Sequence, residues 1–281
     1  MGKSITIVTA FFDIGRGSWK EKGKSYGRGT DIYFRYFKQL AVLENKMVIF
    51  TSREFVEKIK KIRGNKPTTV ITIDFERKFK RLLSKLAIIQ QSSEFQNLIH
   101  PENLGNPECW SPEYLLINNL KYYFINEAIK LGINASLIAW IDFGYFREKS
   151  ALAGVMNWYH PFSAGKMHLF TICDDFVFKD TQNSVQRALD NKPVIIGGAM
   201  IADVDTWQRF YVIASKIQQK YMNKKIVDDD QGVLLLAVTE NPELFKLHYL
   251  GKDNWFYLFG KYHSGSKIKF LNRFFRAFSK K

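Results

Sequence analysis

The period of the apolar positions changes repeatedly along the chain. "SITIVTAFF" is a short run rich in β-branched and aromatic residues. It predicts a strand over Ser4–Phe12, ending in the turn-rich "DIGRGSWKEKGKSYGRGTD". From Asp31 the period becomes helical, with Phe34, Phe37, Leu40 and Leu43 on one face. "KMVIFTS" and "TTVITID" read as the second and third strands, and a mostly helical stretch runs from about Glu76 to His100. Beyond the Pro/Gly-containing "HPENLGNPECWSP", a proline in the first turn opens a helix predicted over Pro112–Leu131. It leads into "LIAWI", a strand that breaks on Asp142 and turns at Gly144. "HLFTIC" and "PVIIGGAMI" follow as strands, then one helix from about Val204 to Asn223 and another starting near "DDDQGVLLLA". Strands alternating with helices predict an α/β fold, a mixed and mostly parallel central sheet with helices on both faces. No repeat or linker interrupts the pattern, so a single domain is expected over residues 1–266, with a separate helix over 267–281.

Composition narrows the setting. With 281 residues, 46% of them hydrophobic, the chain can bury a full core, which argues against a disordered protein. Cys109 and Cys173 make no disulfide framework, as expected in a reducing, cytoplasmic compartment. No apolar run approaches the roughly 18 residues of a membrane span. Lys3 leads straight into the first strand, so no signal peptide is expected. "MGKSIT" fits an N-myristoylation pattern, yet Thr6 already lies within that strand. The net charge of +15 predicts an anionic partner. Part of it sits in "KIKFLNRFFRAFSKK", where Phe270, Leu271, Phe274, Phe275 and Phe278 recur at helical spacing among basic residues. Such a basic amphipathic helix can lie on an anionic membrane surface, placing the protein at the inner face of the cell membrane. Alternatively, its Phe face packs on the body of the protein.

Candidate chemistry is reached first by exclusion. A P-loop, a G-x-G-x-x-G turn, a G-x-S-x-G elbow and a Cys-x-x-Cys pair are all missing from the sequence. Carboxylates at strand ends remain, and in open α/β sheets ligands bind outside the carboxyl ends of strands. Asp13 and Asp142 stand at such ends. A carboxylate beside Gly144, which gives a diphosphate room to approach, suits a divalent metal held against phosphate oxygens, with Arg147 adding charge. Capping of the following turn by Asp142 is the simpler alternative. Adjacent Gly197 and Gly198 remove side chains where a flat sugar ring meets backbone, or else form a tight turn.

"ITIVTAFFDIGRGSW", "SPEYLLINNLKYYFINEAI", "AWIDFGYFR" and "VDDDQGVLLLA" together resemble the HtrL/YibB family of bacterial proteins, from Ile5 to about Tyr257. The resemblance implies a GT-A-like glycosyltransferase of surface-polysaccharide or lipopolysaccharide synthesis. In such enzymes the first strand and its loop hold the nucleotide, which points to Thr9, Ala10, Phe11, Asp13 and Arg16. A lysine before the central strand faces the nucleotide phosphate, which points to Lys121, three residues from Asn118. An Asp-x-Asp binds Mn or Mg, but here Asp142-Phe143-Gly144 supplies one carboxylate. His248, Gly251 and Trp255 in "LHYLGKDNWFYLF" are similar to a late segment of family 8 glycosyltransferases whose His completes the metal site. That implies His248 as metal ligand, His263 as a weaker alternative, and Lys252 beside the diphosphate. An acidic residue at a late helix start faces the acceptor, implying Asp230 as base with Asp229 second, and Gln231 on a sugar hydroxyl. Asp228 is left to the helix dipole.

The expected activity is therefore metal-assisted transfer of a sugar, UDP-linked by preference, from a nucleotide-sugar donor to a glycan or lipid-linked acceptor. The Asp230 base favours inversion, whereas the His248 segment resembles retaining enzymes. A non-catalytic glycan-binding protein on the same fold is the first alternative, and a nucleic-acid-binding protein, suggested by the charge and the many aromatics, is the second. Nucleic acid is not an expected partner, because the basic excess comes with no recognised nucleic-acid motif.

Overall fold

β1 (Ile5–Phe11) is buried at every position, so both faces of this strand are covered. Its side chains alternate between two cores: Val8 and Ala10 face one, Ile5, Ile7 and Phe11 the other. It pairs in parallel with β2 (Met47–Thr51) and, on its other side, with β4 (Leu137–Ile141). β3 (Thr68–Thr72) extends the sheet in parallel beyond β2 as one edge. Beyond β4 lie β6 (Ile195–Ala202), which runs antiparallel to its neighbours, β5 (Met167–Thr171), and the edge strand β7 (Phe245–Tyr249). The order is β3-β2-β1-β4-β6-β5-β7. The expected mixed, mostly parallel sheet between helices is thus the observed one. The computed structural model describes residues 5–133 and 135–263. The helix expected over 267–281 lies outside the described residues.

The helices are, in chain order, α1 (Thr30–Leu40), α2 (Val56–Arg63), α3 (Phe75–Gln91) and the single turns α4 (Ser93–Gln96) and α5 (Pro107–Trp110). Then come α6 (Pro112–Asn119), α7 (Lys121–Lys130), α8 (Thr181–Leu189), α9 (Val204–Asn223), α10 (Asp230–Glu240) and the turn α11 (Leu258–Lys261). One core packs Phe124, Trp207, Phe210 and Leu235 beneath one face of the sheet; the other packs Phe34, Phe37, Phe143 and Trp158 on the opposite face. Among the described residues no helix is long and apolar enough to cross a membrane.

Three elements carry little signal in the sequence. α2 is short and mostly charged, and is held by Arg63, whose buried guanidinium donates to the carbonyls of Ala41, Leu43 and Asn45. α8 and the edge strand β7 likewise have weak apolar patterns. One correction bears on the site. The continuous helix expected over Pro112–Leu131 is two helices that break at Leu120. At the break the Asn119 side-chain amide donates to Leu115 O (3.1 Å) and to Asp228 O (2.7 Å), tying the end of α6 to the segment before α10. The new helix starts at Lys121.

Candidate active site

The chain leaves β1 towards β2 and β3 on one side, then returns to place β4 on the other. Strand order reverses between β1 and β4, and a crevice opens at their carboxyl ends. Its narrower arm, about 190 Å³, runs past Asp13, Arg16, Arg28, Tyr33 and Asp142. The wider arm, about 520 Å³, continues past Glu108, Arg147, Gly198, Asp229, Asp230 and Trp255. Together they fall in the size range of small-molecule sites.

At the crevice floor three charges meet. Asp142 continues β4 by one residue, its N–H donating to Gly198 O at 2.9 Å. Its carboxylate accepts from the Trp140 indole (2.7 Å) and is 3.1 Å from the Lys121 ammonium. Lys121 also donates to Asp230 (2.5 Å) and to Gly197 O (3.0 Å), so its three protons all have acceptors. The lysine and Asp230 side chains are only 5% and 10% exposed, while Asp142 is 38% exposed. Burial alone would lower the ammonium's pKa; Asp142 and Asp230 outweigh it and hold the lysine above its ordinary value. Asp230 is shifted up, burial and Asp142 prevailing over Lys121. The carboxylate at the end of β4 thus has both a cationic partner and access to solvent.

The run of acids before α10 divides by position. Asp228 accepts from Gly232 N–H (2.7 Å) and faces the packing beneath α9 and α10. Asp229 caps the helix by accepting from Gln231 N–H (2.9 Å), and it lines the crevice beside Asp230. Burial, then Asp230 and Glu108, push the Asp229 carboxyl well above the usual carboxylate range. Glu108 is raised by its own burial.

The family profile described as "Bacterial protein of unknown function (HtrL_YibB)" matches residues 3–264. The chain belongs to the HtrL/YibB family. It is 43% identical over 281 residues to Protein HtrL of Escherichia coli (strain K12), covering 98% of this chain and 99% of that one. Among solved structures it is similar to apo mouse xyloside xylosyltransferase 1. That likeness spans 87% of this chain and 85% of that one, with 11% identity and a TM-score of 0.40.

Within this member of the family, the crevice gathers Ala10, Phe11, Asp13, Arg16, Lys121, Asp142, Gly144, Gly197, Gly198, Asp229, Asp230 and Gln231. It does so with several changes of role. Thr9 is wholly buried in the sheet and does not reach the crevice, because odd-numbered β1 residues point into the second core. The Phe11 ring stacks on Phe143 at 4.8 Å and is core. The Asp13 carboxylate is tied to Gly15 N–H (2.9 Å) and the Thr30 hydroxyl (2.6 Å), closing its own loop. At Gly144, a Cβ would meet the Tyr33 ring at 3.1 Å, so the glycine makes room for a tyrosine.

Gly197 and Gly198 lie within β6 and form no turn. A Cβ on Gly197 would fall 1.6 Å from an Asp230 carboxylate oxygen, and one on Gly198 3.1 Å from Tyr145. Gly197 therefore seats Asp230 against backbone; no space is left at that point for a sugar ring. Gln231 spends its amide on β6, accepting from Val194 N–H (3.5 Å) and donating to Ile195 O.

His248 and Lys252 do not line the crevice. Lys252 is exposed beyond β7. His248 lies 2.7 Å from His168 Nδ1, while His168 Nε2 donates to Ser163 O at 2.9 Å. That bond makes Nδ1 of a neutral His168 the acceptor and His248 Nε2–H the donor. His263 bonds to Phe259 O and likewise stays outside the crevice. Among the described residues no group of three or more His, Cys, Asp or Glu is placed to hold a metal. With Lys121 between Asp142 and Asp230, the residues present do not fit a divalent ion there.

The histidines give a pH prediction of their own. Burial, then His168 and Lys246, push His248 down to about 4, and burial lowers His168 too. Above the unfolded value of about 6.5 the full contribution is present. Below it the unfolded chain binds protons that the native state does not, and stability falls towards pH 4. His248→Phe should flatten the decline in Tm between about pH 7.5 and about pH 5. A variant with the wild-type slope would remove the pair as its cause.

Sequence reasoning passed over Glu108 and Tyr114 as site residues, took Arg28 only as one of the basic residues that alternate with glycines in a phosphate-ready loop after β1, and gave Arg147 only a passing role. A glycine-flanked arginine in "YGRGT" was the available signal for Arg28. None existed for Glu108, which the single turn α5 brings to the crevice.

Proposed function

We propose that this protein is a glycosyltransferase that takes a sugar from a nucleotide sugar and passes it to a glycan or lipid-linked acceptor. One observation carries the reading: the crevice at the strand-order reversal combines cationic side chains at its nucleotide end with half-buried and buried carboxylates of raised pKa at its wider end. The nucleotide fits the narrow arm against the end of β1, its diphosphate turned towards Arg28 and Arg147. Trp255, 36% exposed at the wider arm, offers an apolar face for a sugar ring.

In the reaction the bond from the anomeric carbon to the diphosphate oxygen breaks, and its electron pair leaves with the nucleoside diphosphate. The acceptor oxygen forms the new bond to that carbon and loses its proton to a carboxylate. Asp229 suits that role better than Asp230. No cation pairs with it among the described residues, whereas Asp230 is bound by Lys121. A base on the acceptor side implies inversion.

A panel of nucleotide sugars, UDP-linked ones first, tests this by release of nucleoside diphosphate and by thermal stabilisation. A bound donor at a hundred times its Kd adds about 2.7 kcal/mol. If no nucleotide sugar or nucleoside diphosphate raises Tm, the proposal fails. Stabilisation without any release, with or without acceptors, points to the glycan-binding alternative.

A further inference from the structure

Lys121 and the carboxylates around it leave the leaving group's charge to be balanced elsewhere. A divalent ion on Asp142 and Asp230 would need the oxygens that now hold the ammonium, within roughly 2.0–2.6 Å of each. Lys121 already fills the place such an ion would take, 2.5 Å from Asp230 and 3.1 Å from Asp142, with Gly197 O as its third acceptor. The arrangement is built into the backbone, since any side chain at residue 197 would collide with the Asp230 carboxylate. His248, the remaining ligand expected from the sequence, is turned away and bonded to His168.

Cations without carboxylate partners stand on the other wall of the same crevice. Arg16, Arg28 and Arg147 all line it, and among the described residues none forms an ion pair. Arg28 and Arg147 line both arms of the crevice together, and desolvation, then the charge of Arg28, pull Arg147 below its ordinary pKa. Two guanidinium groups facing one crevice repel, and an anion bound between them removes that cost. Arg147 is oriented by stacking on Phe256, 4.7 Å from the ring centre. Arg16 is positioned by the Tyr26 carbonyl (2.7 Å) and by the Trp19 and Tyr114 rings, and its buried Nε has no partner. Planar forks of this kind suit phosphate oxygens bidentately.

We propose that the enzyme holds its donor's diphosphate with Arg28 and Arg147 and needs no divalent cation, Lys121 being the fixed cation between the two carboxylates. The inference rests on the glycosyl-transfer reading for the identity of the anion. As the donor bond breaks, the electron pair moves onto a phosphate oxygen that the two guanidinium groups already contact.

Calorimetric titration of the EDTA-treated full chain with UDP and with inorganic pyrophosphate tests it. UDP should bind in EDTA about as tightly as in Mn²⁺, and pyrophosphate should bind in EDTA. Arg28→Gln and Arg147→Gln should each weaken both anions roughly 10- to 100-fold with Tm unchanged. The corresponding Lys variants should recover part of the affinity, since they keep the charge and lose the fork. UDP binding that appears only with Mn²⁺, failure of both anions to bind in EDTA, or Gln variants that bind like wild type would each overturn the proposal. If pyrophosphate binds through both arginines but no nucleotide sugar is cleaved, the anion clamp stands and glycosyl transfer fails.

Discussion

Lys121→Met is expected to destabilise the protein by about 3–5 kcal/mol at neutral pH, the range for breaking a buried ion pair from one side. The ammonium touches two carboxylates and a backbone carbonyl in a site where it is 5% exposed, and Met fills the volume without a charge. Asp142 and Asp230 would then face each other as like charges, and Gly197 O would lose its donor. The loss should depend on pH in a definite sense. Asp230 already titrates above its ordinary value, and losing Lys121, which lowers it, raises it further. A group with a raised folded pKa contributes its full stability below the unfolded value and loses it as pH rises through the folded one. The variant's deficit should therefore shrink from about pH 8 to about pH 5, as Asp230 takes up a proton. Denaturant unfolding at both pH values measures it. A deficit below about 1 kcal/mol, or one that does not change with pH, would mean that the three charges are not coupled as the distances imply.

Asp229→Asn should lower turnover by about 100- to 10,000-fold while nucleotide-sugar affinity stays near wild type. Asparagine keeps the shape and can still accept from Gln231 N–H as a helix cap, so the fold is preserved. It cannot take a proton, and an acceptor hydroxyl attacks poorly unless its proton leaves as the new bond forms. Asp228→Asn is the internal control. Its side chain caps the same helix through Gly232 N–H but faces the protein interior, so turnover should be nearly unchanged. If Asp229→Asn keeps more than about a tenth of its turnover while Asp230→Asn loses it, the base is Asp230 and Lys121 tunes it. Weaker donor binding in Asp229→Asn would place the residue on the sugar instead.

The strands and most of the long helices were legible in the chain itself. β1, β2, β4 and β6 are dense in β-branched and aromatic residues, and their apolar runs are short and bounded by turn residues. Their alternation with helices implied a mostly parallel sheet, and the rule that ligands sit at carboxyl strand ends pointed to Asp13 and Asp142. Asp229 and Asp230 were singled out only through the family resemblance, since acids at a helix start are by themselves explained by the helix dipole.

The environment of each of these groups belongs to the tertiary structure. Lys121 lies 21 positions from Asp142 and 109 from Asp230 in sequence, and their meeting depends on a helix break at Leu120. At that break Asn119 reaches the backbone of Asp228. Gly197 looks like a ring-binding glycine in sequence because sequence shows only the missing side chain. The carboxylate that fills the gap arrives from α10. His248 matched a metal-binding pattern by spacing, yet in the sheet it pairs with Phe170 and its ring bonds to His168, two residues from Phe170 along the same strand. Local periodicity is a property of neighbouring residues, and a single chain displays it. Which cation meets which carboxylate depends on contacts between residues far apart in the chain, and these exist only once the sheet has closed.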